Sequence, residues 1–406
     1  MIDDVVIVGA SVAGVRTAEA LRRRGFGGRV TLIGAEPRLP YDRPPLSKAF
    51  LAGRATEDDL PLLDGDRLAR LELDLRLGEP AAALDPPAHT VRLASGEPVP
   101  FGTAVIATGS VPRRLPALDG WRGVHVLRTL DDAIAIRAAL RAGARVAVVG
   151  GGFIGAEVAS CARALGRDVT IIDPVPAMMA RGLGPVLGQV LAGRHADHGM
   201  VLRLGRSVVR AEGTGRVERL LLDDGSTVDA DLVVVGVGAD PAVSWLAGSG
   251  LAVDGGLCCD AGLRARGADA VYAVGDVARW PSARYRGPLR LEHWTNAGEA
   301  ALAVAAAITG VSGPSGSPAP FDPLPYVWSD QLGVRIQVFG QVGPHDEVVY
   351  VEGGPDAAEF VAAAGRDGAL HAVVAVGARR AALRWERALR SGAGWIDGSG
   401  PAEPAT

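Results

Sequence analysis

The hydrophobic positions of the chain fall into short runs separated by glycine-rich turns and alanine-rich stretches. Residues 5–8 are mostly β-branched and predict a buried strand, and residues 12–24 have the composition of a helix. Residues 30–33 predict the next strand. The order strand, glycine turn, helix, strand is typical of an α/β fold with a parallel sheet.

The same pattern returns in the second quarter of the chain. A strand at 146–149 leads into three glycines, and a helix at about 153–165 and a strand at 169–172 follow. Residues 91–93 predict a strand of a small meander, and further strands are predicted at 105–107, 231–235 and 271–274, of which the first two are buried. A helix is predicted at 299–308. The chain therefore contains two copies of one supersecondary unit.

The last quarter has a different pattern. Residues 310–320 have linker composition, and beyond them strand-like runs at 334–339, 347–351, 358–363 and 370–376 precede a helix at 379–390. We therefore predict three domains and a disordered tail: residues 1–109 with 240–315, residues 110–239, residues 316–390, and the tail at 391–406.

Composition and charge exclude several classes of protein. The chain is 48% hydrophobic and 22% charged with a net charge of -4, which gives no support for binding nucleic acid. No apolar run reaches the roughly 18 residues of a membrane span, and the start of the sequence lacks the pattern of a signal peptide. We therefore expect a cytoplasmic protein with neither a nucleic-acid nor a membrane partner.

The first glycine turn, at residues 9–14 (GASVAG), has the spacing of a dinucleotide-binding fingerprint. Gly9 would make the tight turn, Gly14 would let helix and strand pack closely, and Ser11 stands where the fingerprint has its second glycine. Glu36 follows the next strand at the distance of the carboxylate that binds the adenosine ribose. The residues therefore predict one dinucleotide site.

The second turn has the complete G-x-G-x-x-G pattern, formed by Gly150, Gly152 and Gly155. Asp173 ends the following strand, where a carboxylate favours a free 2′-hydroxyl and repels a 2′-phosphate, so NAD(H) is preferred over NADP(H). Two dinucleotide sites in one chain indicate a flavin that meets a nicotinamide.

Basic residues are used unevenly, because Lys48 is the only lysine in the chain and every other strongly basic residue is arginine. An ammonium is compact and its pKa can be tuned, which a guanidinium does not allow. Lys48 is therefore a candidate functional residue.

The motifs along the chain resemble those of the NADH-dependent ferredoxin reductases, the putidaredoxin reductase-like FAD components of bacterial cytochrome P450 and ring-hydroxylating dioxygenase systems. The resemblance rests on seven ordered motifs: residues 41–48 (YDRPPLSK), 107–109 (ATG), 127–132 (LRTLDD), 150–157 (GGGFIGAE), 273–276 (AVGD), 292–294 (EHW) and 328–331 (WSDQ). It implies a glutathione-reductase-like fold: two Rossmann-type dinucleotide-binding domains and a C-terminal α+β domain.

The resemblance also implies roles for individual residues. Lys48 beside the flavin and Glu157 from the second helix would form the pair that tunes the reaction, and a helix beginning near Asn296 would stabilise negative charge on the reduced flavin. Besides Gly9, Ser11, Gly14 and Glu36, the FAD residues implied are Ala13, Arg43, Lys48, Ala81, Ala107, Thr108, Gly109, Arg128, Gly275, Asp276, Glu292, His293, Trp294 and Ala297. Besides its three glycines and Asp173, the NAD site takes in Phe153, Ile154, Glu157, Val237 and Gly238.

The chain departs from the pattern of this family at Ser11, which replaces a glycine, and at Ala35, where the family has an acidic residue that Glu36 would replace. Disulfide reductases of the same fold carry a C-x4-C pair after the first helix, whereas the first cysteine here is Cys161. No metal site is predicted, and dithiol exchange at the flavin is excluded.

The expected function is hydride transfer from NADH to FAD, followed by single-electron transfer to an iron–sulfur ferredoxin that serves a P450 or a Rieske oxygenase. Arg284, Arg286 and Arg290 are candidates for docking the ferredoxin. Two alternatives stay open: an NADH reductase of rubredoxin or of a small-molecule acceptor, and a flavoprotein whose redox state gates partner binding. A monomer and a homodimer are both compatible with the sequence.

Overall fold

The computed structural model describes residues 4–310, 320–396 and 400–401. The helices predicted at 12–24, 153–165 and 379–390 are present with nearly the same bounds, and the helix predicted at 299–308 begins earlier, as described below. The helices Gly65–Leu71, Leu130–Arg141 and Ala180–Asp197 were not predicted. The α-helices of the described chain are α1 (Val12–Arg23), α2 (Gly65–Leu71), α3 (Leu130–Arg141), α4 (Phe153–Ala164), α5 (Ala180–Asp197), α6 (Trp294–Ile308) and α7 (Arg379–Arg390).

The described residues form two compact units, and the first comprises the described residues within 1–42, 58–111 and 239–323. Its central sheet has five parallel strands. Four of them are the predicted β-branched runs, and the fifth, Leu73–Leu77, was not predicted. In spatial order the strands are Val271–Ala273, Thr103–Ile106, Asp4–Val8, Arg29–Gly34 and Leu73–Leu77. Two smaller three-stranded sheets accompany it: Ala81–Asp85, Thr90–Leu93 and Pro98–Pro100, and Leu257–Cys258, Ala278–Ser282 and Gly287–Leu289. Helices α1 and α6 pack against each other within this unit.

The second unit comprises the described residues within 43–57, 112–238 and 324–406. Its parallel sheet repeats the arrangement of the first, with five strands in the order Val201–Leu204, Val169–Asp173, Val146–Val149, Leu232–Val235 and Val124–Val126. A three-stranded antiparallel sheet is formed by Val208–Glu212, Arg219–Leu222 and Thr227–Asp229.

The C-terminal part of the second unit is an antiparallel sheet covered by α7. The strand order is Tyr326–Gln331, Val334–Gly340, Ala369–Val376, Phe360–Arg366 and Glu347–Glu352. The first of these strands was not predicted. Helix α7 packs against Ala369–Val376 and Val334–Gly340, with Trp385 and Leu389 in the core.

The prediction of a disordered tail from residue 391 is wrong for the part that the structure describes. Trp395–Ile396 pairs with Gly400–Pro401, and the Trp395 side chain is buried in the core of the C-terminal sheet. Burial of an aromatic side chain outweighs the Gly- and Ser-rich composition around it. Residues 397–399 and 402–406, and most of the predicted linker at 310–320, lie outside the described residues.

The predicted class is confirmed: the chain is an α/β protein with two parallel sheets of the dinucleotide-binding type and a C-terminal α+β region. The three-domain division stays a prediction, and the structure assigns residues 43–57, which were predicted in the FAD-binding domain, to the second unit. No helix within the described ranges is both long and apolar enough to cross a bilayer.

Candidate functional site

The first glycine turn is closed by direct backbone contact. Gly9 has φ +123°, and a Cβ on it would lie 2.1 Å from the carbonyl oxygen of Ala107. A Cβ on Gly14 would lie 2.0 Å from the carbonyl oxygen of Gly9. Both positions therefore require glycine, as the fingerprint predicted. Ser11 is the N-cap of α1 in an extended conformation and makes no side-chain capping bond to the helix.

Three predicted FAD residues with small or absent side chains converge beside this turn. Gly275 has φ +73°, and a Cβ on it would lie 3.1 Å from Cβ of Ala13 and 3.6 Å from Cβ of Ala297. Helix α1, the 3-10 turn Gly275–Val277 and α6 therefore approach each other where only small residues fit. This close approach of backbone suits the binding of a pyrophosphate at a helix N-terminus.

The Asp276 carboxylate accepts a hydrogen bond from Ser110. The Ser110 hydroxyl lies 2.8 Å from Oδ2 of Asp276, and the Asp276 carbonyl accepts from Arg290 at 3.1 Å. Ser110 was not predicted, although it directly follows the Ala107–Gly109 motif. Thr108 and Gly109 of that motif tie this segment to Ala242, through the Thr108 hydroxyl at 2.9 Å and the Gly109 carbonyl at 2.9 Å.

The helix predicted at 299–308, with its N-terminus placed near Asn296, begins at Trp294 instead. His293 is its extended N-cap, and Trp294 Nε1 donates to Oδ1 of Asp42 at 2.8 Å. The aromatic and polar residues 293–296 have weak helix propensity, so composition alone places the start too late. Tertiary contacts of Trp294 stabilise the extra turn.

Two buried polar atoms at this helix start have no partner among the described residues: Nδ1 of His293 and Oδ1 of Asn296. Burial lowers the pKa of His293 to about 4, so its imidazole is uncharged at neutral pH. The first turn of α6 carries no acidic residue. Unsatisfied polar atoms and the positive end of a helix dipole fit a bound group with polar edges and a negative charge, as the flavin ring of FAD has when reduced.

The other FAD residues implied by the resemblance occupy varied environments. Glu36 accepts a hydrogen bond from the buried Tyr41 hydroxyl through Oε2. Glu292 is exposed and forms an ion pair with Arg290 at 2.8 Å, and Ala81 begins a half-buried edge strand. Arg290 therefore makes two contacts inside its own unit and is a weaker docking candidate than the exposed Arg284 and Arg286.

Arg43, Lys48 and Arg128 belong to the second unit. The Arg43 guanidinium donates to the carbonyl of Arg128, so these two predicted FAD residues contact each other.

The second glycine turn has the same backbone geometry as the first. A Cβ on Gly150 would lie 2.3 Å from the carbonyl of Gly236, and one on Gly155 would lie 2.0 Å from the carbonyl of Gly150. At Gly152, the N-cap of α4, the nearest atom to a Cβ would be the Gly236 carbonyl oxygen at 4.0 Å. The protein itself leaves this space free, which is where the fingerprint requires a dinucleotide to approach.

Asp173 lies beside the turn and binds it through backbone amides. Its Oδ2 accepts from the Gly151 N–H at 2.6 Å and its Oδ1 from the Val175 N–H at 2.7 Å. The carboxylate is thus oriented by two hydrogen bonds, and each oxygen retains a lone pair for a ribose hydroxyl.

The remaining predicted NAD residues surround the turn. Gly238, with φ +101°, accepts a hydrogen bond from the Arg113 N–H at 2.9 Å. Val237 packs against the core of the parallel sheet. Phe153 and Ile154 form the first turn of α4, and the Ile154 side chain is 50% exposed.

Lys48 and Glu157 are brought together by the structure. Lys48 Nζ lies 2.7 Å from Oε2 of Glu157, and the two side chains are 16% and 3% exposed. Glu157 also accepts from the hydroxyls of Ser47 and Ser329, the latter at 2.6 Å from Oε1. A buried carboxylate is tolerated because each of its oxygens has a donor.

Ser47 and Ser329 were not predicted as partners of Glu157, nor was Gln331 predicted as a partner of Ser329. Gln331 Nε2 donates to the Ser329 hydroxyl at 2.8 Å, and Ser329 and Gln331 are almost fully buried. They occupy alternate positions of the strand Tyr326–Gln331, so both point to one face of it. The sequence did contain a signal for this, because the polar residues Ser329 and Gln331 stand two positions apart within the 328–331 motif and so share one face of a strand.

Comparison with known proteins gives two family matches. Residues 3–301 match the family described as pyridine nucleotide-disulphide oxidoreductase, and residues 326–398 match the family described as reductase C-terminal. The first covers well over half of the chain.

Curated relatives and solved structures match along nearly the whole length. A ferredoxin–NAD(P)+ reductase of Sphingomonas sp. is 35% identical, over 96% of this chain and 93% of its own. The ferredoxin reductase component of chlorobenzene dioxygenase of Cupriavidus sp. (strain PS12) is 39% identical, over 94% and 90%. A crystal structure of the covalent putidaredoxin reductase–putidaredoxin complex is matched with a TM-score of 0.91 at 32% identity, over 96% of this chain and 94% of that one.

These matches confirm the resemblance of the seven motifs, and the two glycine turns are the parts of the structure that fit the two cofactors of such enzymes, FAD and NAD(P)H. The chain belongs to the pyridine nucleotide-disulphide oxidoreductase family and, within it, to the ferredoxin reductases that carry the reductase C-terminal domain.

Proposed function

We propose that this chain passes electrons from NADH through FAD to an iron–sulfur ferredoxin that supplies a cytochrome P450 or a ring-hydroxylating dioxygenase. The observation that carries the proposal is the presence of two closed glycine turns in one chain, each followed by a helix N-terminus. One relative is named a ferredoxin–NAD(P)+ reductase and another the ferredoxin reductase component of a dioxygenase, and both names support ferredoxin as the acceptor.

FAD, when bound, supplies the exchange between a two-electron donor and one-electron acceptors. The chain contributes binding and electrostatics. The start of α6, with a neutral His293 and no carboxylate in its first turn, favours negative charge at the flavin. Glu157 holds the Lys48 ammonium in a fixed position, so that a positive charge is oriented before any reaction occurs.

The cysteines support direct electron transfer. Burial raises the pKa of the Cys161 thiol to about 11 and that of Cys259 to about 12, so both are protonated at neutral pH. A protonated thiol is a poor nucleophile for disulfide exchange. Cys258, the third cysteine, is half-buried, and all three are free thiols.

Asp173 supports NADH as the donor, and its replacement gives a direct test. In Asp173→Arg we expect the ratio of kcat/KM for NADPH to that for NADH to rise by about tenfold or more. The reason is that the Asp173 carboxylate repels the 2′-phosphate of NADPH, whereas an arginine guanidinium attracts it. Steady-state rates with both nucleotides measure the ratio. Asp173→Asn is the matched control, since its amide oxygen still accepts one backbone hydrogen bond. A ratio in Asp173→Arg equal to that of the wild type would show that Asp173 does not bind the ribose.

A cytoplasmic location and a monomeric or homodimeric state are part of the proposal. Arg284 and Arg286 remain the candidates for docking an acidic ferredoxin, because both are exposed and neither forms an ion pair with a described residue.

The proposal is tested by NADH-driven reduction of cytochrome c by the purified holoprotein, with and without a [2Fe–2S] ferredoxin. We expect the rate to rise with ferredoxin concentration and to saturate. Rapid NADH oxidation that does not depend on ferredoxin would instead favour an oxidase or a reductase of rubredoxin, quinone or another small acceptor. Slow turnover with a long-lived reduced protein would favour a redox-gated binding function.

A further inference from the structure

The first turn of α5 is fixed to the second glycine turn. The Met179 N–H donates to the Gly151 carbonyl at 2.8 Å, and Met179 adopts φ +51° just before the helix begins. A Cβ on Gly182 would lie 2.8 Å from the Phe153 ring, so these two helices start in close contact. The backbone of this first turn is therefore held close to the predicted NAD site.

Arg181 lies in this turn and its guanidinium reaches Gly238. Arg181 Nη1 lies 3.5 Å from the position that a Cβ on Gly238 would occupy. Gly238 follows the strand Leu232–Val235, which pairs with Val146–Val149, the strand that leads into the glycine turn. The guanidinium thus lies at the carboxyl edge of the parallel sheet, where open α/β sheets bind their ligands.

The Arg181 side chain is exposed, and no described carboxylate lies within 4.0 Å of its guanidinium. It makes no side-chain hydrogen bond with the residues that the structure describes. The nearby carboxylate, Asp173, is engaged by the amides of Gly151 and Val175 instead. This edge of the site therefore has an oriented negative group, Asp173, and a cation, Arg181, that has no ion-pair or hydrogen-bond partner among the described residues. The Arg113 guanidinium also approaches Gly238, with Nη1 3.9 Å from the same Cβ position.

We propose that Arg181 binds the pyrophosphate of the nicotinamide dinucleotide. The guanidinium is a planar donor that matches two phosphate oxygens at once, and it adds charge to the N–H groups of the α4 N-terminus. The 2′-phosphate of NADP is the other phosphate that an arginine could bind. The pyrophosphate is favoured because the Arg181 guanidinium lies against Gly238 and forms no ion pair with Asp173, the residue at the ribose end. This inference rests on the proposed use of NADH by this site.

The test measures binding directly in the FAD-loaded protein, by calorimetric titration with NAD+, NADP+, ADP-ribose and adenosine. In Arg181→Gln we expect Kd for NAD+ and for ADP-ribose to rise by the same factor, about ten- to one-hundredfold, while Kd for adenosine is unchanged. The dependence of Kd on salt concentration should become shallower, because one cation no longer contacts phosphate. Arg181→Lys should recover part of the loss.

Arg219→Gln is the matched control, because Arg219 is an exposed arginine of the same unit on the strand Arg219–Leu222. A Kd for NAD+ in Arg181→Gln equal to that in Arg219→Gln would overturn the inference. A larger loss for NADP+ than for NAD+ would assign Arg181 to the 2′-phosphate and would overturn it as well. If the wild type itself failed to bind NAD+, the cofactor assignment of the proposed function would fail, which is a different outcome.

Discussion

Gly155→Val is expected to raise Kd for NADH by at least about a hundredfold while FAD stays bound. The Cβ of any residue at this position would lie 2.0 Å from the Gly150 carbonyl oxygen and 3.1 Å from Val148 Cγ1. The closest of these atoms belongs to the backbone of a turn, so it cannot rotate away. The start of α4 must therefore move from the turn, and its N–H groups lose their alignment for phosphate.

Titration of the purified holoprotein with NADH measures this effect, and visible absorbance reports the FAD content independently. Gly193→Ala is the control, because Gly193 lies in α5 with no atom within 4 Å of its Cβ position. An NADH affinity in Gly155→Val within twofold of that control would show that the second glycine turn is not the NADH site.

Glu157→Leu is expected to lower the free energy of unfolding by about 3–5 kcal/mol. The substitution leaves the Lys48 ammonium, whose side chain is 16% exposed, without its carboxylate, and it leaves the hydroxyls of Ser47 and Ser329 without their acceptor. A buried charge without its partner destabilises the folded state by far more than the intact ion pair stabilises it. Urea denaturation followed by circular dichroism measures the change.

The double variant Lys48→Met/Glu157→Leu distinguishes a stranded charge from lost packing. We expect it to recover most of the stability lost in Glu157→Leu, since it removes both charges together. Glu212→Leu, which breaks the exposed pair between Arg210 and Glu212, is the control and should cost less than about 1 kcal/mol. Equal losses in Glu157→Leu and in the double variant would show that charge pairing is not the reason Glu157 is retained.

Lys48→Met by itself addresses the proposed role at the flavin. We expect it to slow reduction of the flavin by NADH while FAD stays bound, because the oriented positive charge is removed while Glu157 keeps the hydroxyl donors Ser47 and Ser329. Stopped-flow absorbance measures the rate. An unchanged rate would leave Lys48 with a structural role only.

The two glycine turns and the strands beside them were predictable because their signals are local. The strand Val146–Val149 and the helix α7 begin and end at the predicted residues, since a β-branched run and an alternation of arginine with alanine and leucine are complete within a few positions. The glycines at 9, 14, 150 and 155 were identified from spacing, and each is required by a carbonyl oxygen about 2 Å from its Cβ position.

The partners of the functional side chains were not predictable, because they come from distant parts of the sequence. Ser329 reaches Glu157 from 172 positions away, and Asp42 reaches Trp294 from 252. Hydrogen bonds of this kind depend on how strands and helices pack, which periodicity does not report. The same reason explains the late start predicted for α6 and the buried Trp395 in a segment of loop-like composition.

The single lysine gives this protein a side chain that can be modified selectively. Lys48 is the only side-chain amine, it is largely buried, and it is paired with Glu157. An acylating reagent that attacks free amines is expected to react with it faster when the contact with Glu157 opens, and no other lysine competes, so the rate of modification at Lys48 should follow that local opening. Mass spectrometry of the peptide that contains Lys48 would thus follow, at one atom, how cofactors and partners tighten or loosen this part of the structure.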